Sequence, residues 1–257
     1  MRNDKKVLIC GADFETDWNV ECTEAWVCQW SLCIVRDRSN EKRHCDKTKK
    51  VDSSVVKHYH GYTLDTFMET LRTLAQNKST KYVIYFHNLK FDFQFMRGAM
   101  WDWIQEHELV ERKEPDESDA ALYELLGIPI QPLGAYVKDY KDCTFLSNNN
   151  NPILLQIDNI EIRDSLKKVS GGTVKDMGRS IGLPKLTPPC GESFYPGWSR
   201  TLTDDDFLYV DRDAEIVARR MKLMHGSGFV KPTMSGDAYS HMITAFNKVH
   251  VDKRGRG

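Results

Sequence analysis

Val7-Leu8-Ile9-Cys10-Gly11-Ala12-Asp13-Phe14-Glu15-Thr16 reads as a short strand covered on both faces that ends in two acids. Its first six residues are apolar or small, the composition of a strand inside a sheet and not at its margin. Side chains alternate along an extended chain, so Asp13 and Glu15 share one face while Phe14 turns to the other, toward a core. Two carboxylates on one face can chelate a cation. Taken alone, a D-x-E pair is equally at home on an exposed strand, so the reading needs further acids from elsewhere in the chain.

Working outward, residues 25–35 are rich in Trp, Val and Ile and form a second strand, 36–50 a charged hairpin tip, and 55–62 a returning third strand. Thr63-Leu64-Asp65-Thr66 opens a helix with Phe67, Leu71 and Leu74 at helical spacing. Tyr82-Val83-Ile84-Tyr85-Phe86 is a fourth buried strand, followed by a helix expected over 93–106. Residues 111–118 are charged and weakly patterned, and Asn148-Asn149-Asn150-Asn151-Pro152 is a turn. A strand is expected over 153–162, then a short helix with Val174, Met177 and Ile181 on one face. Pro184, Pro188, Pro189 and Pro196 make the next segment irregular. Thr203 then caps a helix with Asp204, Asp205 and Asp206 in its first turn, running to about His225 and stopping at Gly226. Three strands, a helix, a strand and a helix, then further strand and helices, predict an α/β fold with a mixed central sheet flanked by helices.

The 257 residues suffice for one large domain with additions. Hydrophobic residues at 40% and charged residues at 28% exclude wholesale disorder. No apolar run approaches the roughly 20 residues of a membrane helix, and the start lacks a signal-peptide apolar region, so a cytosolic protein without a membrane partner is expected. The 7 cysteines include no C-x-x-C pair and suit reduced packing residues. A net charge of −1 lacks the basic surplus usual for nucleic-acid binders, but clustered carboxylates that hold metal make formal charge understate the local potential.

Two further segments carry acids. His87-Asn88-Leu89-Lys90-Phe91-Asp92 leaves a buried strand for a loop, where Asp92 is either a metal ligand or a helix cap. Tyr209-Val210-Asp211-Arg212-Asp213 reads as a polymerase-like acid pair on a hairpin, but its surroundings are helical. Tyr209 and Asp213 therefore fall at i and i+4 on one helix face, a Y-x-x-x-D pattern.

D-F-E-T, Y-F-H-N-L-K-F-D and Y-x-x-x-D, with Asp164-Ser165-Leu166-Lys167-Lys168 between the last two, resemble the exonuclease motifs of protein-primed family B DNA polymerases of phages and linear plasmids. They occur in that family's order and span most of the chain. The resemblance implies a ribonuclease H-like 3′-5′ exonuclease domain over residues 1–226. Residues 227–257 would begin the connection to a polymerase palm and end in a basic, disordered tail. No polymerase motif follows, so an exonuclease piece of a larger replicase, within the cytoplasm of a bacterial host, is expected.

By the same resemblance, Asp13, Glu15, Asp92 and Asp213 hold two Mg²⁺ or Mn²⁺ ions, and Tyr209 orients the attacking water. Lys185 corresponds to a lysine near the scissile phosphate, although the Pro-rich stretch around it departs from the family and a solvated loop lysine is an equal reading. Thr16, Tyr85, His87, Asn88, Phe91, Phe95, Ser165, Leu166 and Tyr195 match positions that hold single-stranded DNA. For Phe91 and Phe95 core packing is the alternative. A terminal priming protein and the rest of the polymerase are the implied partners. Two rivals stay open: a free-standing DNA or RNA exonuclease, and a non-catalytic module that docks a replication protein and keeps its acids as relics.

Overall fold

The computed structural model of the protein describes residues 5–19, 23–37, 54–106, 143–148, 151–169, 172–189 and 201–254. The expected hairpin tip beyond 37, the 111–118 loop, most of the 111–151 insert, and Tyr195 lie outside these residues.

Strands β1 (Lys6–Trp18), β2 (Ala25–Asp37), β3 (Ser54–Gly61) and β4 (Thr80–Phe86) are followed by β5 (Cys143–Asn148), β6 (Asn151–Ile157) and β7 (Ile160–Asp164). Among the described residues they form one sheet in the order β3-β2-β1-β4-β7-β6-β5. β4 is parallel to both β1 and β7, and the remaining pairs are antiparallel. The α/β class with a mixed sheet is therefore present as read.

Helices α1 (Leu64–Ala75) and α2 (Leu89–Glu106) cover one face; α3 (Val174–Ser180) and α4 (Asp204–Gly226) cover the other. The period of two along β1 divides its side chains between these layers. Leu8, Cys10, Ala12 and Phe14 join the cluster beneath α1 and α2, where Phe14 meets Phe67 and Phe86 edge-on at 4.8 and 5.1 Å. Ile9, Gly11, Asp13 and Glu15 face α4. The first strand thus spends one face on packing and points its acids at the helix that carries Asp213.

Gly11 sets how closely that helix sits. A methyl group built there would collide with the Ala214 carbonyl oxygen and approach the Ala218 nitrogen to 2.6 Å. Both obstacles are helix backbone, which cannot swing aside. Gly11→Ala is expected to lift α4 from β1 and to cost about 1–3 kcal/mol of overpacking. A thermal midpoint unchanged from wild type would contradict this close approach.

Three expectations change. The strand expected over 153–162 is two strands, because Asp158 adopts φ 55° and reverses the chain between β6 and β7. An Asp-Asn pair tolerates that left-handed conformation, so the turn was written in the sequence but hidden by the apolar residues on both sides. α2 begins at Leu89, four residues earlier than expected, with Asn88 at φ 66° leading into it. Asp92 is therefore inside the first turn and not the cap. Finally, α5 (Met234–Arg254) occupies the segment expected to end in a disordered tail. Its residues contain no proline and only one glycine, Gly236, so nothing local interrupts a helix before Gly255. Among the described residues, no helix is long and apolar enough to cross a membrane.

Candidate metal-binding and active site

The parallel pairing of β1 with β4 stops at Gly11 and Tyr85, and β4 then departs into α2. β1 continues past this point, so Asp13 and Glu15 lie where the crevice at strand ends opens in α/β sheets. α2 delivers Asp92 from one side, and the Phe14 backbone N–H donates to its carboxylate, fixing it against β1 between the two acids. α4 delivers Asp213 and Tyr209 from the other side, one turn apart on its sheet-facing flank, both buried. Asp206 anchors the start of α4, accepting from the Thr203 N–H at 2.8 Å and its hydroxyl at 2.9 Å.

Lys185 reaches the same place. Gly178 of α3 has no side chain to obstruct the Leu183 carbonyl, which lies where its Cβ would stand, so the 183–185 segment passes tightly over the helix. The Lys185 ammonium then forms an ion pair with Asp213 and lies 4.9 Å from the centre of the Tyr209 ring, hydrogen-bonding the Tyr209 side chain. Burial opposes its charge, but Asp213 and Tyr209 outweigh that and raise its pKa. The alternative of a solvated loop lysine does not describe this geometry.

The acids press on one another. Burial holds the Asp13 carboxyl well above the usual range, with Glu15, Asp213 and Asp92 adding to the rise and Lys185 opposing it. Burial and then Asp213 push Glu15 up to about 7. Asp92 is likewise raised well above its ordinary value by burial, then by Glu15 and Asp164. Asp213 is raised by burial despite Lys185. Mutual elevation of this kind needs positive charge to relieve it, and one lysine is not enough for four acids.

A divalent cation would provide that relief. The buried Asp213 Oδ1 has no hydrogen-bond partner, and a set of carboxylate oxygens suits hard ions such as Mg²⁺ or Mn²⁺. Asp13, Glu15, Asp92 and Asp213 are the residues that could hold them. Among the described residues, no three such side chains already close on one point as in a finished cage. The four carboxylates crowd one another in an acidic cleft without closing on a common point.

A stability consequence follows for the metal-free protein. Glu15 is raised in the folded state from 4.5 to about 7, so the folded state holds a proton that the unfolded chain releases in this window. Its contribution is fully present below pH 4.5 and is lost as pH rises through 7. Metal-free protein is expected to lose thermal stability between pH 5 and pH 7.5, and millimolar Mg²⁺ or Mn²⁺ to restore it at the upper end; pH-resolved melting with and without metal checks both. A Glu15→Gln variant should show a shallower pH slope.

The residues expected along a DNA strand divide. Phe91 and Asn88 are exposed, and Phe95 is partly so, with its ring 5.6 Å from Phe91 in an edge-on arrangement. Core packing is therefore not the role of Phe91, whereas Phe95 also touches the cluster beneath α2. Thr16 is almost buried beside Glu15. His87 is half-buried and pairs with the buried Ser165 hydroxyl at 3.0 Å; Leu166 is half-buried beside it. Tyr85 does not reach the surface. It is 0% exposed, and its hydroxyl meets His225 Nε2 at 2.8 Å and accepts from Arg163 at 3.1 Å. Burial pushes it up to about 12. A central strand covered by helices on both faces leaves a tyrosine no route outward.

Some structural supports of the site are not legible from motif spacing. Asp164 accepts the Leu166 N–H at 2.9 Å and the Leu89 N–H at 3.4 Å, tying the turn after β7 to the start of α2. Ser31, His60 and Asp211 form a network beside Asp213. Period-two alternation could have placed Ser31 and His60 on the Asp13 face, but only strand pairing shows which residues are neighbours.

No protein-family model matches the chain, and no curated protein matches it by sequence. Solved structures do. Phi29 DNA polymerase with primer-template DNA, in a post-translocation binary complex, is 18% identical, with a TM-score of 0.57 over 95% of this chain and 36% of that one. The same polymerase with single-stranded DNA is 18% identical, with a TM-score of 0.54 over 92% and 34%. Its ternary complex with primer-template DNA and incoming nucleotides is 19% identical, with a TM-score of 0.52 over 97% and 35%. The chain spans about a third of the length of these polymerase chains. At such identities the likeness is one of fold, and it fits the α/β class with a mixed sheet expected from the sequence. Nearly all of this protein is therefore built on a fold found within Phi29 DNA polymerase.

Proposed function

We propose that this chain is a metal-dependent 3′-5′ exonuclease domain of a protein-primed family B DNA polymerase, hydrolysing nucleotides from single-stranded DNA ends. The observation that carries the reading is the convergence of Asp13, Glu15, Asp92 and Asp213 from three elements into one cleft where each raises or feels the charge of the others. When bound, a pair of divalent cations supplies electrophilic stabilisation of the phosphate and an acidified water.

The chain's own residues do the rest. Asp213 is one of the four acids that would hold the metal, and Tyr209, one helical turn before it, would orient the attacking water. Lys185, held between them, places an ammonium where negative charge grows on a transferring phosphate. Exposed Phe91 offers a ring on which a base can stack, and Asn88 a polar contact for the backbone. The fold's occurrence in a polymerase solved with single-stranded DNA supports the choice of substrate.

The test is release of nucleotides from a 5′-labelled single-stranded DNA, with Mg²⁺ or Mn²⁺ and with excess chelator. A ladder shortening from the 3′ end in metal alone is expected. No shortening in either metal sinks the reading, and equal rates on a matched RNA would transfer it to a general exonuclease.

A further inference from the structure

We propose that Asp211 is a positioning residue, whose carboxylate, held by Ser31 and His60, fixes the rotation of α4 so that Asp213 and Tyr209 face Asp13. The inference rests on the exonuclease reading and concerns how the site is held, not what it cleaves.

Strand pairing places Asp13 of β1 opposite Ser31 of β2, and Ser31 opposite His60 of β3. Paired residues point to the same face, so the three form one row under α4, about 5 Å between neighbours. Asp13 begins the row as a candidate ligand. The other two grip the helix: the buried Ser31 hydroxyl donates to Asp211 Oδ1 at 2.6 Å, and His60 Nδ1 lies 3.1 Å from Oδ2. His58 Nδ1 stands 3.6 Å from Oδ1, and the Phe207 ring, one turn earlier, packs on His60 with centroids 4.5 Å apart.

On an α-helix, residues two apart point about 200° apart. Val210, Ala214, Val217 and Met221 are buried along the middle of the helix's sheet side. Asp211 therefore lies on one flank of that contact and Asp213 with Tyr209 on the other. Gly11 sets the distance of the helix from β1, and Asp211 adds directional polar contacts on one flank of that packing. A turn of about 20° about the axis would carry a carboxylate, roughly 6 Å from that axis, by about 2 Å. Displacements of about 1 Å at a reacting centre cost on the order of a hundredfold in rate. Asp211 is the polar lock against that turn.

The experiment compares Asp211→Ala, Asp211→Asn and Ser31→Ala with wild type, measuring kcat and KM on single-stranded DNA and, separately, Mn²⁺ affinity from the electron paramagnetic resonance of the free ion. Asparagine keeps an oxygen for Ser31 and loses only the charge. Asp211→Ala is expected to lower kcat about 30-fold with KM within about twofold, and to weaken Mn²⁺ binding about tenfold. Asp211→Asn should recover kcat to within about threefold, with Ser31→Ala falling between. Retention of kcat and Mn²⁺ affinity in Asp211→Ala overturns the proposal, as does an Asp211→Asn variant no better than alanine. If wild type binds Mn²⁺ but leaves DNA intact, the exonuclease reading fails, and the affinities of the variants still decide whether Asp211 sets the site.

Discussion

Replacing Asp13 and Glu15 together by alanine is expected to abolish metal-dependent shortening of single-stranded DNA, by at least about a thousandfold, equivalent to about 4 kcal/mol of transition-state stabilisation. Both side chains lie on the face of β1 that meets α4, and neither belongs to the apolar clusters that hold the sheet to its helices. Removing them also removes the burial of two acids whose protonation is forced upward. The variant should therefore melt no lower than wild type in metal-free buffer near neutral pH, while losing the stabilisation that metal confers. This pairing of opposite effects separates loss of a site from loss of a fold. Activity surviving in a well-folded double variant would show that the cleft is not where hydrolysis occurs.

Truncation of Lys168 should have the largest effect on stability. Its side chain is 0% exposed, and the ammonium donates to the Phe229 carbonyl at 3.1 Å and forms an ion pair with Asp237, itself 1% exposed. The other oxygen of Asp237 accepts the Lys231 N–H at 2.8 Å, and Arg163 donates to the Val230 carbonyl at 2.7 Å. The turn after β7 is thereby fastened to the segment that leads into α5. Lys168→Ala leaves Asp237 buried without its counter-charge, a loss on the order of 3–5 kcal/mol. For a domain of this size that lowers the thermal midpoint by about 10 °C. Because much of the loss comes from the orphaned carboxylate, Lys168→Met combined with Asp237→Leu should recover most of it. A single variant that melts within about 2 °C of wild type would show that the pair contributes little.

These residues illustrate different degrees of legibility. The shared face of Asp13 and Glu15 was readable because an apolar run fixes a strand and alternation orders its side chains, both local properties, while their role as ligands came from the resemblance of the motifs. Asp213 was readable because helical spacing pairs it with Tyr209, and that same spacing set aside the hairpin acid pair. Lys168 appears in the sequence only as one lysine of a D-S-L-K-K string. Nothing local indicates that it is buried, since its partner is 69 residues away. Tyr85 shows the converse error: a tyrosine at a strand end beside a motif was expected to meet DNA, yet the sheet places it centrally, under α4, with His225 and Arg163. The 153–162 segment was misread because apolar residues on both sides of Asp158-Asn159 masked a reversal that a single left-handed residue accomplishes.

By itself the sequence determined the α/β class and most of the elements, because hydrophobic period and capping act over a few residues and depend on no distant partner, while the resemblance of its motifs singled out the acids of the cleft. Only the tertiary structure decided that Lys185 rests on Asp213, that Gly11 admits the backbone of α4, and that Ser31 and His60 grip Asp211. Each of these joins residues from separate elements, and which elements become neighbours is fixed by strand order and helix docking, where the whole core is buried at once.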